Sequence, residues 1–201
     1  MRELKYYVAC SVDGFIAHKD GSFEGFLQEG EHITGLFESF PETFPVHFRD
    51  ALGIHPENKC FDVVLMGRKT YEVGLKFGIT NPYPHLKQYL FSRSMKESPD
   101  PNVELVLEDT VAFVKSLKNE TGKDIWLCGG ADLAATLFAE KLIDQLILKV
   151  NPFIMGSGIP LFSGAILRRR RFANAQTDLE LTDSKIYGNG VLVLHYRVRQ
   201  L

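Results

Sequence analysis

The sequence predicts an α/β fold whose sheet is mostly parallel and ends in an antiparallel hairpin. Three observations carry this. Val63 to Met66 runs apolar without polar alternation and stops at Gly67, the pattern of a strand covered on both faces. Similar short strands alternate with segments of helical spacing from residue 62 to 150. Leu179 to Tyr187 and Val191 to Val198 instead alternate apolar and polar residues around Gly188-Asn189-Gly190, as an antiparallel hairpin at a sheet edge does.

Taken in order, Leu4 to Ser11 is the first strand, rich in Tyr6, Tyr7 and Val8. Asp13-Gly14 breaks it, and Phe15, Ile16 and Ala17 are too apolar for a solvated loop. They form either a lid over a flat apolar ligand or a turn that caps the core. Asp20-Gly21-Ser22 is a turn. Glu31 to Phe40 has helical spacing, with Ile33, Leu36, Phe37 and Phe40 on one side, and Pro41 ends it. Pro45 starts a second short helix over Val46 to Leu52, with Thr43 as its candidate cap and Gly53 beyond its end. The helix after Gly67 is expected from about Thr70 and is short, because Gly74 and Gly78 interrupt it. Gln88 to Ser92 and Val103 to Leu107 are the next strands. Asp109 or Thr110 caps a helix through Leu117, which Gly122 ends. Asp124 to Cys128 is a strand, followed by a helix with Leu133, Leu137, Phe138 and Leu142 on one face, and then the strand Gln145 to Val150. Asn151 to Phe162 is a Gly/Pro loop with apolar content, and Arg168 to Arg171 reads as solvated surface.

Bulk properties narrow the function classes. A chain of 201 residues suits one domain with a real core. A formal net charge of −2 gives no basic field for nucleic acid. Cys10, Cys60 and Cys128 are scattered and odd in number, which supports neither a disulfide framework nor a zinc site; Cys10 and Cys128 read as core thiols. No metal site is expected. The start enters a strand without a signal-type segment, and no apolar run nears the ~20 residues of a membrane span, so a cytoplasmic setting is the expectation.

Three strand ends carry phosphate-type chemistry: Gly67-Arg68-Lys69-Thr70, Ser92-Arg93-Ser94 and Gly129-Gly130-Ala131-Asp132. Each alone reads equally as a turn with solvated cations. Together they suit one long ligand with several phosphates lying across the carboxyl ends of the strands. Arg suits bidentate phosphate contact, and Gly lets a backbone and a helix N-terminus approach the diphosphate. No Gly-x-Gly-x-x-Gly follows the first strand, so the usual dinucleotide fingerprint is absent.

Val8-Ala9, Asp13-Gly14-Phe15-Ile16-Ala17, Met66-Gly67-Arg68-Lys69-Thr70-Tyr71-Glu72, Phe91-Ser92-Arg93 and Ile125 to Gly130, in that order, resemble the dihydrofolate reductase superfamily. The Asp-Gly-Phe-Ile-Ala start and Gly156 to Phe162 are similar to one branch, the reductase domain of the bifunctional riboflavin-biosynthesis deaminase-reductase and its stand-alone relatives. The resemblance covers nearly the whole chain apart from residues 24–58. It implies a three-layer α/β/α fold, an eight-stranded and mostly parallel sheet with the C-terminal antiparallel hairpin, and NADPH as hydride donor. It implies that Gly67, Arg68, Lys69, Thr70, Ser92, Arg93, Gly129, Gly130, Ala131 and Asp132 hold the cofactor's phosphates and ribose, and that Ala9, Ile16 and Ala17 line the nicotinamide. Asp13 is the candidate for a proton relay or substrate contact, or else a turn residue bonding its own backbone. Phe15 and Lys149 are candidate substrate contacts. True dihydrofolate reductases place a carboxylate on the first helix for the pterin. Here Glu31, Glu38, Glu42 and Asp50 are interrupted by Pro41 and Pro45, and none is assigned to that role.

The function expected is NADPH-dependent hydride transfer to a small heterocycle or ribosylated pyrimidine, resembling 5-amino-6-(5-phosphoribosylamino)uracil reductase. A dihydrofolate or pterin reductase and a non-catalytic NADPH-binding module are the alternatives. A small-molecule substrate is the expected partner, and a homodimer is expected by family analogy.

Overall fold

The computed structural model describes residues 1–107, 109–164 and 176–199; the basic run Arg168 to Arg171 lies outside them. The strands are β1 (Leu4–Ser11), β2 (Phe15–Ala17), β3 (Phe61–Gly67), β4 (Lys87–Phe91), β5 (Val103–Val106), β6 (Asp124–Gly129), β7 (Gln145–Asn151), β8 (Ile159–Pro160), β9 (Leu179–Ile186) and β10 (Leu192–Val198). The helices are α1 (Glu31–Ser39), α2 (Val46–Leu52), α3 (Arg68–Leu75), α4 (Thr110–Asn119) and α5 (Ala131–Ala139). Eight strands form one sheet in the order β5-β4-β3-β6-β1-β7-β10-β9. The first six of these are parallel, and β10 runs antiparallel to both β7 and β9.

The sheet has a core on each face, which makes the fold a three-layer α/β/α one. Leu4, Tyr6, Val63, Leu65, Ile125 and Leu127 pack under Val114 and Leu117 of α4 and Leu133 and Leu137 of α5. Val64, Met66, Leu90, Trp126, Ile147 and Val193 pack under Leu36 of α1 and Tyr71 of α3, together with Phe40. β3 is therefore buried on both sides, as its unalternating sequence requires. Leu65, Ile125 and Leu127 are fully buried, each contributing about 1.5–3 kcal/mol of burial free energy. Asp109 caps α4, its Oδ1 accepting from the backbone N–H of Val111 at 2.9 Å and of Ala112 at 3.2 Å.

Several boundaries differ from the sequence reading. α3 starts at Arg68, because Gly67 itself occupies the cap position, so Arg68, Lys69 and Thr70 form the helix's first turn. Thr43 does not cap α2. A 3₁₀ turn over Pro41–Thr43 intervenes, the Thr43 hydroxyl donates to the Phe40 carbonyl, and Pro45 stands at the cap. Cys10 is buried, but Cys128 is only half-buried, beside the second core. β2 and β8 pair with each other as a separate antiparallel ribbon. At three and two residues they are too short to show a period in the sequence.

Residues 24–58 pack on the sheet. Phe40 lies with its ring centroid 5.1 Å from that of Tyr7 and 5.9 Å from that of Phe61. The side chain of Glu42, fully buried, accepts three backbone N–H bonds, from Lys59, Cys60 and Phe61, and so fixes the start of β3. Among the described residues no helix is long and apolar enough to cross a membrane.

Candidate functional site

The carboxyl ends of β3, β4 and β6 lie side by side, since Met66 pairs with Gly129 and Gly67 with Phe91. Two helices start directly from those ends, α3 after Gly67 and α5 after Gly130. A methyl group on Gly67 would stand 3.4 Å from the Gly129 carbonyl oxygen and 3.5 Å from the Gly130 Cα. One on Gly130 would stand 3.4 Å from the Gly67 Cα, and one on Gly129 would stand 3.3 Å from the Thr70 Oγ1. Gly129 and Gly130 also adopt φ values of +155° and +107°, which side-chain-bearing residues rarely take. The glycines thus bring two helix N-termini and their amide groups together. Glycine supplies no capping side chain, so the first amides of both helices are left for an external acceptor or water.

Cations rim this cradle. Lys69 and Arg93 are exposed. The Arg68 guanidinium is half-buried and donates to Glu72 one turn on, at 2.6 Å. Ser92 is buried, and its hydroxyl oxygen accepts the amides of Ser94 and Met95, which shapes the turn that presents Arg93. Ala131 opens α5, and its carbonyl accepts the Ser163 amide, tying the cradle to the segment after β8. Asp132 is exposed in the first turn of α5. This donor set fits a diphosphate: close backbone approach, two helix N-termini and adjacent cations.

Beside the cradle the sheet opens. β1 pairs with β6 only as far as Tyr6 and Leu127, whereas β1 and β7 stay paired to Ser11 and Asn151. β1 and β6 thus part toward their carboxyl ends, which makes a crevice of the kind that accepts ligands in open α/β sheets. Half-buried Ala9 sits on the β1 side of it. Phe15 and Ala17 pair with Pro160 and Ile159, and with Ile16 they form a half-buried apolar lip after β1. The lip is anchored by the Leu161 amide donating to the Gly14 carbonyl and by the Tyr6 hydroxyl donating to the Leu161 carbonyl, both at 3.0 Å.

Asp13 fastens the same junction. Its carboxylate accepts the Ser11 hydroxyl at 2.6 Å and the amides of Met155 and Gly156 at 3.0 and 2.7 Å. Those bonds, the Ser11 one foremost, hold its pKa down to about 2. At neutral pH Asp13 is an ionised acceptor with no proton to give.

Lys149 lies on β7 opposite Ala9 of β1. It is 9% exposed, and burial lowers its pKa to about 8. Its ammonium donates to the Leu27 carbonyl at 3.2 Å, and it makes no bond to Asp13. Asn151, fully buried at the end of β7, accepts the Leu27 amide at 3.0 Å. His32, also fully buried, shares a 2.8 Å hydrogen bond with Asn189 of the β9–β10 turn, and its other ring nitrogen faces the Leu27 carbonyl. Sequence reasoning passed over both Asn151 and His32. The signal for Asn151 is a strand that ends in an amide side chain just before proline; His32 shows none, because its partner is distant in the chain.

Of the acidic residues of the first helical region, three have side-chain partners. Glu31 accepts the Gly188 amide. Glu42 is spent on the start of β3, at the opposite end of the strand from Gly67. Asp50 faces His55 at 3.5 Å on an exposed surface, and Glu38 is exposed near the end of α1. Among the described residues no cluster of three or more His, Cys, Asp or Glu forms a metal site.

Comparison with known proteins places this geometry in context. Residues 2–193 match the model of the RibD C-terminal domain family. The uncharacterised protein YwjB of Bacillus subtilis is 34% identical over 196 residues, covering 97% of both chains, and YyaP of the same organism is 26% identical over 206 residues. In fold, the chain is similar to a riboflavin-biosynthesis-type protein of Shewanella sp. PV-4, with a TM-score of 0.70, 21% identity and both chains covered completely. It is also similar to the deaminase/5-amino-6-(5-phosphoribosylamino)uracil reductase of Thermotoga maritima, with a TM-score of 0.61 and 14% identity, over 98% of this chain and 57% of that one.

Proposed function

The chain belongs to the RibD C-terminal domain family, and on that premise we propose that it is an NADPH-dependent reductase acting on a small heterocycle or ribosylated pyrimidine. The observation that carries the reading is the convergence of Gly67, Gly129 and Gly130, with two helix N-termini, beside an opening between β1 and β6. NADPH supplies the hydride when bound. Gly67, Gly129, Gly130 and the first amides of α3 and α5 hold its diphosphate. Arg93, Lys69 and Arg68 face its remaining phosphate and ribose, with Arg68 exchanging its Glu72 bond for a phosphate one.

The lip Phe15–Ala17 orients the reacting ring beside Ala9 and excludes water from it. Asp13 is a positioning residue in this reading: it locks the lip to the 155–156 amides. The proton that accompanies the hydride comes from water or from Lys149, whose pKa of about 8 keeps it charged at neutral pH yet within reach of deprotonation. A pterin reductase is disfavoured, since Glu42 serves the start of β3 and Asp50 faces His55, both away from the crevice. A homodimer belongs to the same reading. β9 is exposed along its whole length at the sheet edge, with Leu179, Leu181 and Ile186 outward.

Fluorescence titration with NADPH and NADH tests the core of the proposal. NADPH is expected to bind at least about tenfold tighter than NADH, and Arg93→Ala to remove most of that preference. Equal affinities, or no NADPH binding, would sink it. NADPH binding without oxidation by any pyrimidine, flavin-precursor or pterin substrate would leave a cofactor-binding module instead.

A further inference from the structure

The peptide group of Leu27 is held by three side chains. Its N–H donates to Asn151 Oδ1 at 3.0 Å. Its carbonyl meets two donors, the Lys149 ammonium and His32 Nε2, each at 3.2 Å. Asn151 and Lys149 belong to β7, and His32 is the second residue of α1. A carbonyl oxygen has two lone pairs, so this one is filled.

His32 is fixed in one tautomer by its other neighbour. The Val191 amide donates to Asn189 Oδ1 at 3.3 Å, which leaves the Asn189 Nδ2 group facing His32 Nδ1 at 2.8 Å. Nδ1 is therefore an acceptor, and the ring proton sits on Nε2, toward Leu27. A charged ring would set one N–H against another. His32 is fully buried; burial first, and then the charge of Lys149, lower its pKa and keep the ring neutral. Glu31, whose charge also acts on the ring, accepts the Gly188 amide of the same β9–β10 turn. Gly30 lets that turn approach: a methyl group there would stand 3.0 Å from Asn189 Nδ2.

Lys149 is held less completely. An ammonium has three donors, and among the described residues the Leu27 carbonyl is the one acceptor it reaches. Its register neighbours are apolar, Ala9 on β1 and Val193 on β10. Register partners share a face of the sheet, so Lys149 stands beside half-buried Ala9 at the crevice. The ammonium can leave the Leu27 carbonyl without stranding it, because His32 still donates there.

We propose that His32 is a positioning residue for Lys149: it holds the Leu27 segment in place by itself while the ammonium turns to a carbonyl oxygen of the substrate ring. This rests on the reading of the crevice as the substrate's place. It commits that place to a ring with an oxygen acceptor beside Ala9. A ring amino group there would meet the ammonium donor to donor.

The test is NMR of the whole chain with ¹³C-labelled lysine, the Lys149 signal being assigned by its loss in Lys149→Arg. The chain is titrated with uracil and, separately, with 2,4-diaminopyrimidine, which carries amino groups in place of both carbonyls. Uracil is expected to move the Lys149 ε-CH₂ signal saturably, and 2,4-diaminopyrimidine to bind at least about tenfold more weakly. In His32→Leu the ammonium is the sole remaining donor to Leu27. Uracil is then expected to bind about fivefold to tenfold more weakly, and the titration midpoint of Lys149 to rise, because its charged form has gained a stronger partner. His32→Gln, whose amide can still donate, is expected to restore both. If His32→Leu does not fold, Asn189→Ala, in an exposed turn, releases the tautomer and is expected to weaken uracil binding in the same direction. A long-range ¹H–¹⁵N correlation is expected to find the wild-type ring proton on Nε2. The proposal is overturned by a Lys149 signal that uracil does not move, by equal affinity for the two rings, by a proton on Nδ1, or by an affinity and midpoint that neither His32→Leu nor Asn189→Ala changes. NADPH titration of the same samples separates the two readings: NADPH binding with a motionless Lys149 sinks this inference alone, and a Lys149 response without NADPH binding sinks the reductase reading alone.

Discussion

Lys149 shows how one residue's surroundings decide its chemistry. Its neighbours on β7 and β1 are apolar or backbone, and desolvation lowers its pKa to about 8. The sign of the consequence is fixed. In the unfolded chain a lysine holds its proton to about pH 10.4, so between pH 8 and that value the unfolded state binds more protons, and stability rises with pH. Relative to Lys149→Met, the wild-type protein is expected to gain roughly 3 kcal/mol of unfolding free energy from pH 7.5 to 10.5, measured by denaturant titration at each pH. A flat difference between the two proteins would show that Lys149 is solvated. Asp13 is the opposite case: three donors keep it charged, so it serves as an anchor. Its residue type and its place after the first strand were legible in the sequence. Its partners at 155 and 156 were not, because they come from the other end of the chain.

At the scale of elements, the structure is held by side chains that satisfy the ends of strands and turns. Glu42 joins the Pro41–Thr43 turn to the amides that lead into β3. Glu42→Gln removes the charge from all three bonds and turns an N–H group toward a backbone N–H. It is expected to cost about 2–4 kcal/mol, read as a lower urea midpoint at unchanged slope. A loss below about 0.5 kcal/mol would mean that water replaces the carboxylate there. The main strands and helices were legible, because burial on one or both faces imposes a period or an unbroken apolar run. The β2–β8 ribbon was illegible for the opposite reason: it is too short for a period, and contacts between distant segments define it. The start of α3 moved from Thr70 to Arg68 because a glycine at a strand end can itself be the cap position.

For the whole molecule, the β1–β6 opening and the glycine cradle bring together parts of the chain that are far apart in sequence. Ligand binding to such a junction stabilises the folded state by mass action. NADPH at about 100 times its Kd is expected to add about 2.7 kcal/mol, or a rise of about 5–10 °C in Tm for a chain of this size. NADH at the same concentration is expected to raise it less. A Tm unmoved by either would contradict the proposed cofactor site.

The sequence by itself determined the α/β class, the parallel strands with their C-terminal hairpin, and the three strand ends that now lie together or side by side. Those features are local: burial sets the apolar pattern, and glycine, serine and arginine act where they stand. Tertiary structure alone decided that Gly67 meets Gly130, that Asp13 is an ionised clamp, that Glu42 serves β3, and that the Lys149 ammonium meets the Leu27 carbonyl. Each of these depends on which distant backbone group comes within hydrogen-bond or van der Waals range, and residue type does not encode that distance.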